Sequence, residues 1–398
     1  MFFGYWNVTT RLRSANFALA IVVVLYIIFA ALSAHAQILT LLYSFNGGTD
    51  GRSPIAGLSR DAAGNFYGTT VFGGAFDDGT VFRLDASGVE NVLYSFDGGS
   101  GDGNGPRGGL GRDAAGNLYG PTVLGGESNN GTVYKVDTNG NEMVLYGFAG
   151  PPTDGSAPSA DLIRDRAGNL YGTTLVGGKS NNGTVYKLDT NGVESVLYSF
   201  AGTPDGSIPA GDLVRDKSGN LYGSTQAGGT FNNGTVFKLD PTGKETVLYS
   251  FVGGQDGITP VGGLVHDNAG TLYGTTYLGG AFGFGTVFRL DAIGKFTVLH
   301  SFAGEPTDGA SSFAGLILDR AGNLYGTTQA GGASNNGTVF KLDTMTGRET
   351  VLHSFAGGAT DGRCPEAGLI RDKAGNLYGT TTGGGASDSG TIFKLSPN

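Results

Sequence analysis

The sequence contains one cysteine, four histidines and few charged residues. The lone cysteine, Cys364, excludes an intramolecular disulfide, and so few cysteines and histidines disfavour a zinc site of the usual Cys/His type. The 34 acidic residues outnumber the 25 basic ones, giving a net charge of −9. An acidic, lysine-poor chain is poorly suited to nucleic acid or to an anionic membrane surface. We therefore expect no metal, no cofactor and no nucleic-acid partner.

Glycine is abundant, with 74 copies, and aromatic residues reach 11%. So many aromatic residues with so little charge argue against a disordered chain. The glycines do not recur at every third position, so the chain is not collagen-like. Glycine together with β-branched and aromatic residues indicates short strands joined by tight turns.

The first 36 residues have the pattern of a targeting segment. Arg11 and Arg13 precede an apolar run over residues 17–32, and Ala34-His35-Ala36 follows it. A basic start, an apolar stretch and a small-x-small site describe a secretory signal peptide, here cleaved before Gln37. An uncleaved anchor is the alternative, because sixteen apolar residues fall just under a membrane span. Either way, residues 37–398 are predicted to be exported, as a secreted or cell-envelope domain.

One motif recurs seven times at intervals of 51 to 53 residues, which is typical of solenoids and propellers. Each period holds four short pieces rich in Val, Leu, Phe, Tyr and Thr, separated by turn residues. No stretch after residue 36 shows a helical period of apolar residues. The motif, close to Gly-Asn-Leu-Tyr-Gly, begins at Gly64, Gly116, Gly168, Gly219, Gly270, Gly322 and Gly375.

These repeats predict an all-β fold, a seven-bladed β-propeller of four-stranded antiparallel blades. The order of the pieces is offset at the two ends of the repeat region. Residues 38–45 match the fourth piece of a repeat, but no third piece precedes them, and residues 390–395 match the third piece, but no fourth piece follows them. Pairing residues 38–45 with residues 390–395 would complete the seventh blade and hide two strand edges. A β-solenoid is the alternative, but it would need polar caps at its ends, and the sequence shows none.

The repeat motifs read Gly-Asn-Leu-Tyr-Gly-Thr-Thr at 375–381, Gly-Thr-Val-Phe-Lys-Leu at 337–342 and Val-Leu-Tyr-Ser-Phe at 247–251. With them the chain resembles the GloVer tandem-repeat family of exported bacterial proteins, over essentially all of residues 38–395. Asp-x-x-Gly-Asn-Leu-Tyr and the Gly-Gly doublets are similar, more loosely, to NHL and kelch propellers. The resemblance implies a propeller, and it implies no enzymatic activity that attaches to a residue.

Residues repeated in every blade are predicted to be structural, because one binding site rarely needs seven identical contributors. The loop between consecutive repeats contains a turn aspartate followed by glycine. A calcium-binding ring of these aspartates is the alternative, but calcium needs six to eight oxygens around one point. The turn aspartates are Asp50, Asp102, Asp154, Asp205, Asp256, Asp308 and Asp361. A second set caps the first hairpin of each repeat, and consists of Asp61, Asp113, Asp165, Asp216, Asp267, Asp319 and Asp372.

Function is expected where the copies differ, on the face with the longer and more varied loops. Phe231, Tyr277, Phe282 and Phe284 lie in or beside loops of the neighbouring repeats four and five. They are the predicted ligand-binding residues, as one aromatic patch that stacks on a sugar ring or anchors a protein. Alternatively the rings fold back over the adjacent blade, and the ordinary burial of Phe favours this second arrangement.

Other departures from the repeat lie on the same face but are scattered: Arg107, Glu127, Lys179, Phe313, Arg363, Cys364 and Glu366. His300 and His353 stand where other repeats have Tyr, so they are expected to replace a packing aromatic. No hydrolase, zinc-protease or phosphate-binding motif is present, and no catalytic residue is assigned.

The sequence therefore predicts a monomeric, non-enzymatic binding or scaffold module for a protein or a glycan. An extracytoplasmic hydrolase or lyase at the mouth of the propeller channel is the alternative, and a purely structural envelope protein is a third possibility. Acids or histidines converging on the channel axis would favour the enzyme.

Overall fold

The computed structural model describes residues 37–397, and the predicted signal peptide at 1–36 lies outside the described residues. Seven four-stranded antiparallel sheets form the blades of a propeller, which confirms the predicted fold. We call the strands of each blade A to D, from the central channel outward. Within residues 37–397 the structure has no helix with the length and hydrophobicity required to cross a membrane.

The strand bounds repeat closely from blade to blade. The A strands are Ser59–Arg60, Gly111–Arg112, Ile163–Arg164, Val214–Arg215, Val265–His266, Ile317–Leu318 and Ile370–Arg371. The B strands are Phe66–Thr70, Leu118–Thr122, Leu170–Gly177, Leu221–Thr225, Leu272–Thr276, Asn323–Thr328 and Leu377–Thr381. The C strands are Thr80–Leu84, Thr132–Val136, Thr184–Leu188, Thr235–Leu239, Thr286–Leu290, Thr338–Asp343 and Thr391–Ser396. The D strands are Glu90–Ser95, Glu142–Gly147, Glu194–Ser199, Glu245–Ser250, Phe296–Ser301, Glu349–Ser354 and, for blade 7, Ile38–Ser44.

In each blade the loop before strand A pairs with the segment that follows the hairpin part of strand B, and in blade 3 strand B itself extends through this segment. Blades 1 and 5 use single bridges, Arg52–Phe72 and Ile258–Leu278, and a short 3-10 helix covers Gly254–Asp256. The other blades pair Gly103–Asn104 with Leu124–Gly125, Gly155–Pro158 with Leu170–Gly177, Gly206–Ser207 with Ala227–Gly228, Gly309–Ala310 with Ala330–Gly331, and Gly362–Arg363 with Gly383–Gly384. These D–A and B–C loops together form one face of the disc, the loop-rich face.

The ring closes through its first strand. Ile38–Ser44 pairs antiparallel with Thr391–Ser396, so Ile38 lies opposite Ser396 and Ser44 opposite Thr391. Phe45, directly after the strand, is completely buried and meets the Phe82 ring of blade 1 edge-on, at 5.3 Å between centroids. The backbone pairing of the closing strand is as predicted, and Phe45 adds core packing to it.

The hydrophobic core is divided among the interfaces between blades. Val81 and Phe96 of blade 1 pack with Leu110, Leu118 and Tyr134 of blade 2, and the described residues hold seven such clusters. Each sheet is too small to bury both of its faces alone. Neighbouring blades cover both faces, so burial of apolar surface stabilises the ring as a whole.

The second glycine of the repeat motif is required by this packing. A Cβ atom added to Gly68 would lie 2.6 Å from the ring of Phe82, which comes from strand C of the same blade. An aromatic residue, Phe or Tyr, occupies that strand C position in every blade. The glycine thus leaves the space that the aromatic ring fills.

The first hairpin of each blade is fixed by its aspartate. In blade 1, Asp61 accepts hydrogen bonds from the backbone N–H of Asn65 at 2.9 Å and from the Asn65 amide at 2.8 Å. The hydroxyl of Tyr67 donates to the same carboxylate at 3.1 Å. The backbone and tyrosine hydrogen bonds recur in all seven blades, with Thr271 in place of the asparagine in blade 5. They confirm the structural role predicted for these aspartates.

Candidate functional site

The D–A loops of all seven blades converge at one end of the central channel. There they enclose a pocket of about 250 Å³ on the loop-rich face. Residues 54–59 alternate between buried and half-buried, so residues at one parity face the channel while the others face the core. The outermost channel-facing position carries a different residue in every blade. This mouth ring consists of Ile55, Arg107, Ser159, Ala210, Val261, Phe313 and Glu366.

Two residues further along each loop, five blades have glycine and two adjacent blades have aspartate. Asp161 of blade 3 and Asp212 of blade 4 therefore bring two carboxylates side by side into the channel. We call them the acid pair. Apart from Asp161 and Asp212, this second ring contains Gly57, Gly109, Gly263, Gly315 and Gly368.

The acid pair is held by the backbone of the neighbouring blades. Gly109 N–H donates to Asp161 Oδ1, and Asp161 N–H donates to Asp212 Oδ1 at 2.8 Å. Among the described residues, no cationic side chain forms an ion pair with either carboxylate. Burial raises the pKa of both groups, and the negative charge of Asp212 raises the pKa of Asp161 further. The pair consequently tends to keep a proton, as two close carboxylates cannot both ionise readily.

A chain of polar side chains extends from the mouth ring. The hydroxyl of Tyr277 donates to Gln329 Oε1 at 3.0 Å, and Gln329 Nε2 donates to Glu366 Oε1 at 2.7 Å. Burial raises the pKa of Glu366, opposed by this hydrogen bond and by the charge of Arg107. Phe313 packs edge-on against Tyr277, at 5.9 Å between ring centroids. The mouth thus combines the exposed cation Arg107, the carboxyl groups of Glu366 and the acid pair, and the aromatic ring of Phe313.

The structure separates the four predicted ligand-binding residues into two groups. Phe231, Phe282 and Phe284 are 54%, 61% and 43% exposed. The expectation that these rings fold back over the adjacent blade is wrong for Phe231 and Phe282, whereas the Phe284 ring lies against Gly304 in the loop that leads to blade 6. The B–C loops that carry the three rings are closed by backbone hydrogen bonds, from the Gly234 N–H to the Gly228 carbonyl and from the Gly285 N–H to the Gly279 carbonyl. Tyr277 is half-buried and belongs to the channel mouth.

Further apolar side chains lie exposed on the same part of the loop-rich face. Val252 lies in the loop before strand A of blade 5, Leu278 follows strand B of the same blade, and Phe313 lies in the loop before strand A of blade 6. Exposed apolar residues gathered on neighbouring loops indicate an interaction surface. We call this surface the apolar sector, and it consists of Phe231, Val252, Leu278, Phe282, Phe284 and Phe313.

The scattered departures from the repeat fall into separate places. Arg107, Phe313 and Glu366 meet at the channel mouth. Arg363 forms an ion pair with Asp388 at 2.7 Å. The remaining three share no contact with that mouth: Glu127 and Lys179 are exposed, and Cys364 is a half-buried free thiol.

The turn aspartates hold the loops and the blade interfaces, which confirms their structural role. Asp102 accepts a hydrogen bond from the Asp97 N–H at 2.7 Å and one from the Tyr94 hydroxyl of the preceding blade at 3.0 Å. His300 and His353 replace this tyrosine, as predicted. Their rings stand edge-on to Phe302 and Phe355, as the tyrosine rings do to their own phenylalanines.

In five blades strand D begins with a glutamate that lies near the turn aspartate at the interface with the preceding blade. Its Oε1 atom is buried and lacks a hydrogen-bond partner at Glu90, Glu142, Glu194, Glu245 and Glu349. Burial and the nearby turn aspartate raise the pKa of Glu90 to about 7 and that of Glu142 to about 8. The recurrence of Glu at the start of strand D was visible in sequence, but its aspartate neighbour is about 40 residues away. We call Tyr94, Asp102 and Glu142, with their equivalents, the Tyr–Asp–Glu clusters.

A family model described as the Gloeobacter/Verrucomicrobia repeat matches residues 27–231, 99–268 and 212–398. No curated protein sequence matches the chain.

Two solved structures from one organism have a similar fold. The extracellular domain of a hybrid two component system from B. thetaiotaomicron is 12% identical with a TM-score of 0.60, over 91% of this chain and 41% of that one. The extracellular domain of a one component system from the same organism is 16% identical with a TM-score of 0.58, over 90% and 41%. A gluconolactonase from Xanthomonas campestris is 17% identical with a TM-score of 0.44, over 93% of both chains. The chain thus spans about two fifths of the length of the two B. thetaiotaomicron proteins, and at these identities the likeness is one of fold.

Proposed function

The chain belongs to the Gloeobacter/Verrucomicrobia repeat family, and from that premise we propose that it is an extracytoplasmic, non-enzymatic propeller that binds a glycan through its loop-rich face. The observation that carries this proposal is the apolar sector beside a polar channel mouth. Exposed phenylalanine rings supply flat surfaces for the apolar faces of sugar rings. Binding sites of this kind pair such surfaces with a few fixed polar groups.

The channel mouth supplies those polar groups. Arg107 is an exposed donor, while Glu366 and the acid pair are acceptors, and Phe313 belongs to both the mouth ring and the apolar sector. A glycan whose end enters the pocket of about 250 Å³ would leave its next residues over the phenylalanines. The small pocket and its varied polar lining favour a glycan over a flat protein surface.

The test is a glycan array probed with residues 37–398, followed by affinity measurements on the glycan that is retained. We expect the triple variant Phe231→Ala, Phe282→Ala, Phe284→Ala to lose at least about tenfold in affinity, at roughly 0.5–1.5 kcal/mol for each aromatic contact. Phe76→Ala is the matched control, because Phe76 is 61% exposed on the same face but belongs to blade 1.

Two results would contradict the proposal. One is the retention of no glycan, and the other is equal affinity for the triple variant and the control. If a protein is captured instead, and the same three rings are required for its capture, the loop-rich face is a protein interface.

The acid pair favours a second candidate function, a hydrolase or lyase at the channel mouth. One carboxyl that keeps its proton beside one that ionises is the arrangement used for general acid and base catalysis. On this hypothesis the retained glycan is cleaved, and Asp161→Asn and Asp212→Asn each reduce the rate by at least about 100-fold. Chromatography of the glycan after incubation measures this. Asp165→Asn is the control, since Asp165 holds only a hairpin through Asn169 and Tyr171, and uncleaved glycan with all proteins rules the enzyme out.

A further inference from the structure

One Tyr–Asp–Glu cluster differs from the others in its first member. At the interface of blades 5 and 6, His300 of Phe296–Ser301 faces Asp308 and Glu349, which belong to blade 6. His300 Nε2 lies 3.0 Å from Asp308 Oδ2. One ligand atom from each of the three side chains lies within 4.8 Å of the others. The tyrosine clusters offer only oxygen atoms at this point, whereas this one offers an imidazole nitrogen and two carboxylates.

Glu349 brings a second carboxylate to this cluster. As in the four clusters of blades 1 to 4, the Oε1 atom of its glutamate is buried and has no hydrogen-bond partner. A buried carboxylate oxygen without a donor is costly unless a cation or a proton satisfies it. Asp308 is 8% exposed and also lies in the interface, so two acids converge beside His300.

We propose that His300, Asp308 and Glu349 form a binding site for one divalent transition metal ion, with Zn²⁺ as the preferred ion. Zn²⁺ accepts histidine nitrogen and carboxylate oxygen together, and three protein ligands with water in the fourth position is a common zinc arrangement. Calcium takes oxygen ligands, so the histidine disfavours it. A carboxylate oxygen of Glu349 would be the third ligand atom. Asp308 lies in a D–A loop, but the site shares no residue with the mouth ring, the acid pair or the apolar sector. The proposal therefore does not depend on the proposed glycan binding.

The neighbouring interface offers an internal control. His353 Nε2 lies 3.3 Å from both carboxylate oxygens of Asp361, which repeats the histidine and the aspartate. The glutamate is missing there, because Leu39 pairs with Leu395 in blade 7 as Glu349 pairs with Leu342 in blade 6. Two ligands instead of three predict much weaker metal binding at His353.

The experiment is calorimetric titration of ZnCl₂ into residues 37–398 after removal of metals with a chelator, together with thermal melts. We expect one strong site per chain and a melting temperature that rises with Zn²⁺, because an ion that binds only the folded state stabilises it. His300→Tyr restores the residue of the other repeats, so the interface should fold, and it should weaken binding at least about tenfold. His353→Tyr should leave both readouts unchanged.

Glu349→Gln tests the third ligand without removing the histidine, and it too should weaken Zn²⁺ binding. The Co²⁺ form of the wild-type protein should show the visible absorption of a low-symmetry site, and His300→Tyr should abolish it. Absence of a strong site in the wild type, or equal affinity in His300→Tyr, would overturn the proposal. Equal loss in His300→Tyr and His353→Tyr would overturn it as well.

Discussion

Removal of residues 38–45 should unfold the entire propeller, not only its seventh blade. The deletion takes away the partner of Thr391–Ser396 and exposes that strand edge. It also empties the blade 7–1 interface of Phe45, which is completely buried, and of Tyr43 and Leu42, which pack against the same cluster. Truncating one buried phenylalanine costs about 3–5 kcal/mol, and a domain has only about 5–15 kcal/mol in total. Loss of the whole strand should therefore exceed the stability of the ring.

The measurement compares two chains by circular dichroism and thermal melting. A chain beginning at Gln37 should melt cooperatively, whereas one beginning at Asn46 should show no cooperative transition under the same conditions. A synthetic peptide of residues 37–46 should restore the transition when added in excess, because it can supply strand D in trans. Phe45→Ala, a milder change, should lower the melting temperature while keeping a single transition. Equal melting temperatures for the two chains would refute closure of the ring by this strand.

The stability of the protein should fall as pH rises from weakly acidic to weakly basic. Burial, followed by the charge of a neighbouring aspartate, raises the pKa of Glu90, Glu194 and Glu245 to about 7 and that of Glu142 to about 8, from an ordinary value of 4.5. Between 4.5 and these values the folded chain binds protons that the unfolded chain has released, so the free energy of unfolding decreases with pH. Since these side chains are only partly buried, solvent screening reduces each contribution. We expect a melting temperature on the order of 10 °C lower at about pH 8.5 than at about pH 5.

At lower pH the hairpin aspartates reverse the trend. Burial alone would raise the pKa of Asp61, but hydrogen bonds from Asn65 and Tyr67 outweigh it and lower that pKa below its ordinary value of 3.8. A carboxylate of this kind stabilises the fold above its ordinary pKa, and that stability is lost as pH falls through the lowered value. Melting temperature should therefore be greatest between these two ranges, at weakly acidic pH.

Variants separate the two contributions. Replacing the four glutamates Glu90, Glu142, Glu194 and Glu245 by Gln should flatten the decline at basic pH, with chelator present throughout. Replacing the exposed Glu127 and Glu305 by Gln is the control and should leave the decline as it was. A decline of unchanged slope in the fourfold variant would show that the buried glutamates are not its cause.

Much of the fold follows from the sequence because the repeat is a physical unit. The Asp61 hairpin, the space above Gly68 and the turn aspartates each recur seven times, so one local interpretation applies around the ring. The repeat region begins with a fourth strand and ends with a third strand, and this offset was enough to predict that residues 38–45 close the ring.

The candidate site was less accessible from the sequence. Asp161 and Asp212 break a column of glycines, but the A strands have only two residues, so their spacing does not show which side faces the channel. The Tyr–Asp–Glu clusters join residues from two blades, and their meeting depends on how neighbouring sheets are inclined. The exposure of Phe231 and Phe282 was mispredicted, because the average burial of phenylalanine says little about a residue in a glycine-rich surface loop.

The pairing of Ile38 with Ser396 has a consequence for how this protein can be rearranged. In blade 1 the turn of residues 85–89 joins strands C and D, and blade 7 has the same two strands side by side with no peptide link between them. A short turn from Ser396 to Ile38 would make the backbone circular without moving a strand. New ends could then be cut at any other C–D turn, giving circular permutants with unchanged packing. The position of the chain ends is therefore not required by the packing of the blades. By the same reasoning, a repeat could be exchanged between two positions in the ring that offer it the same contacts on either side.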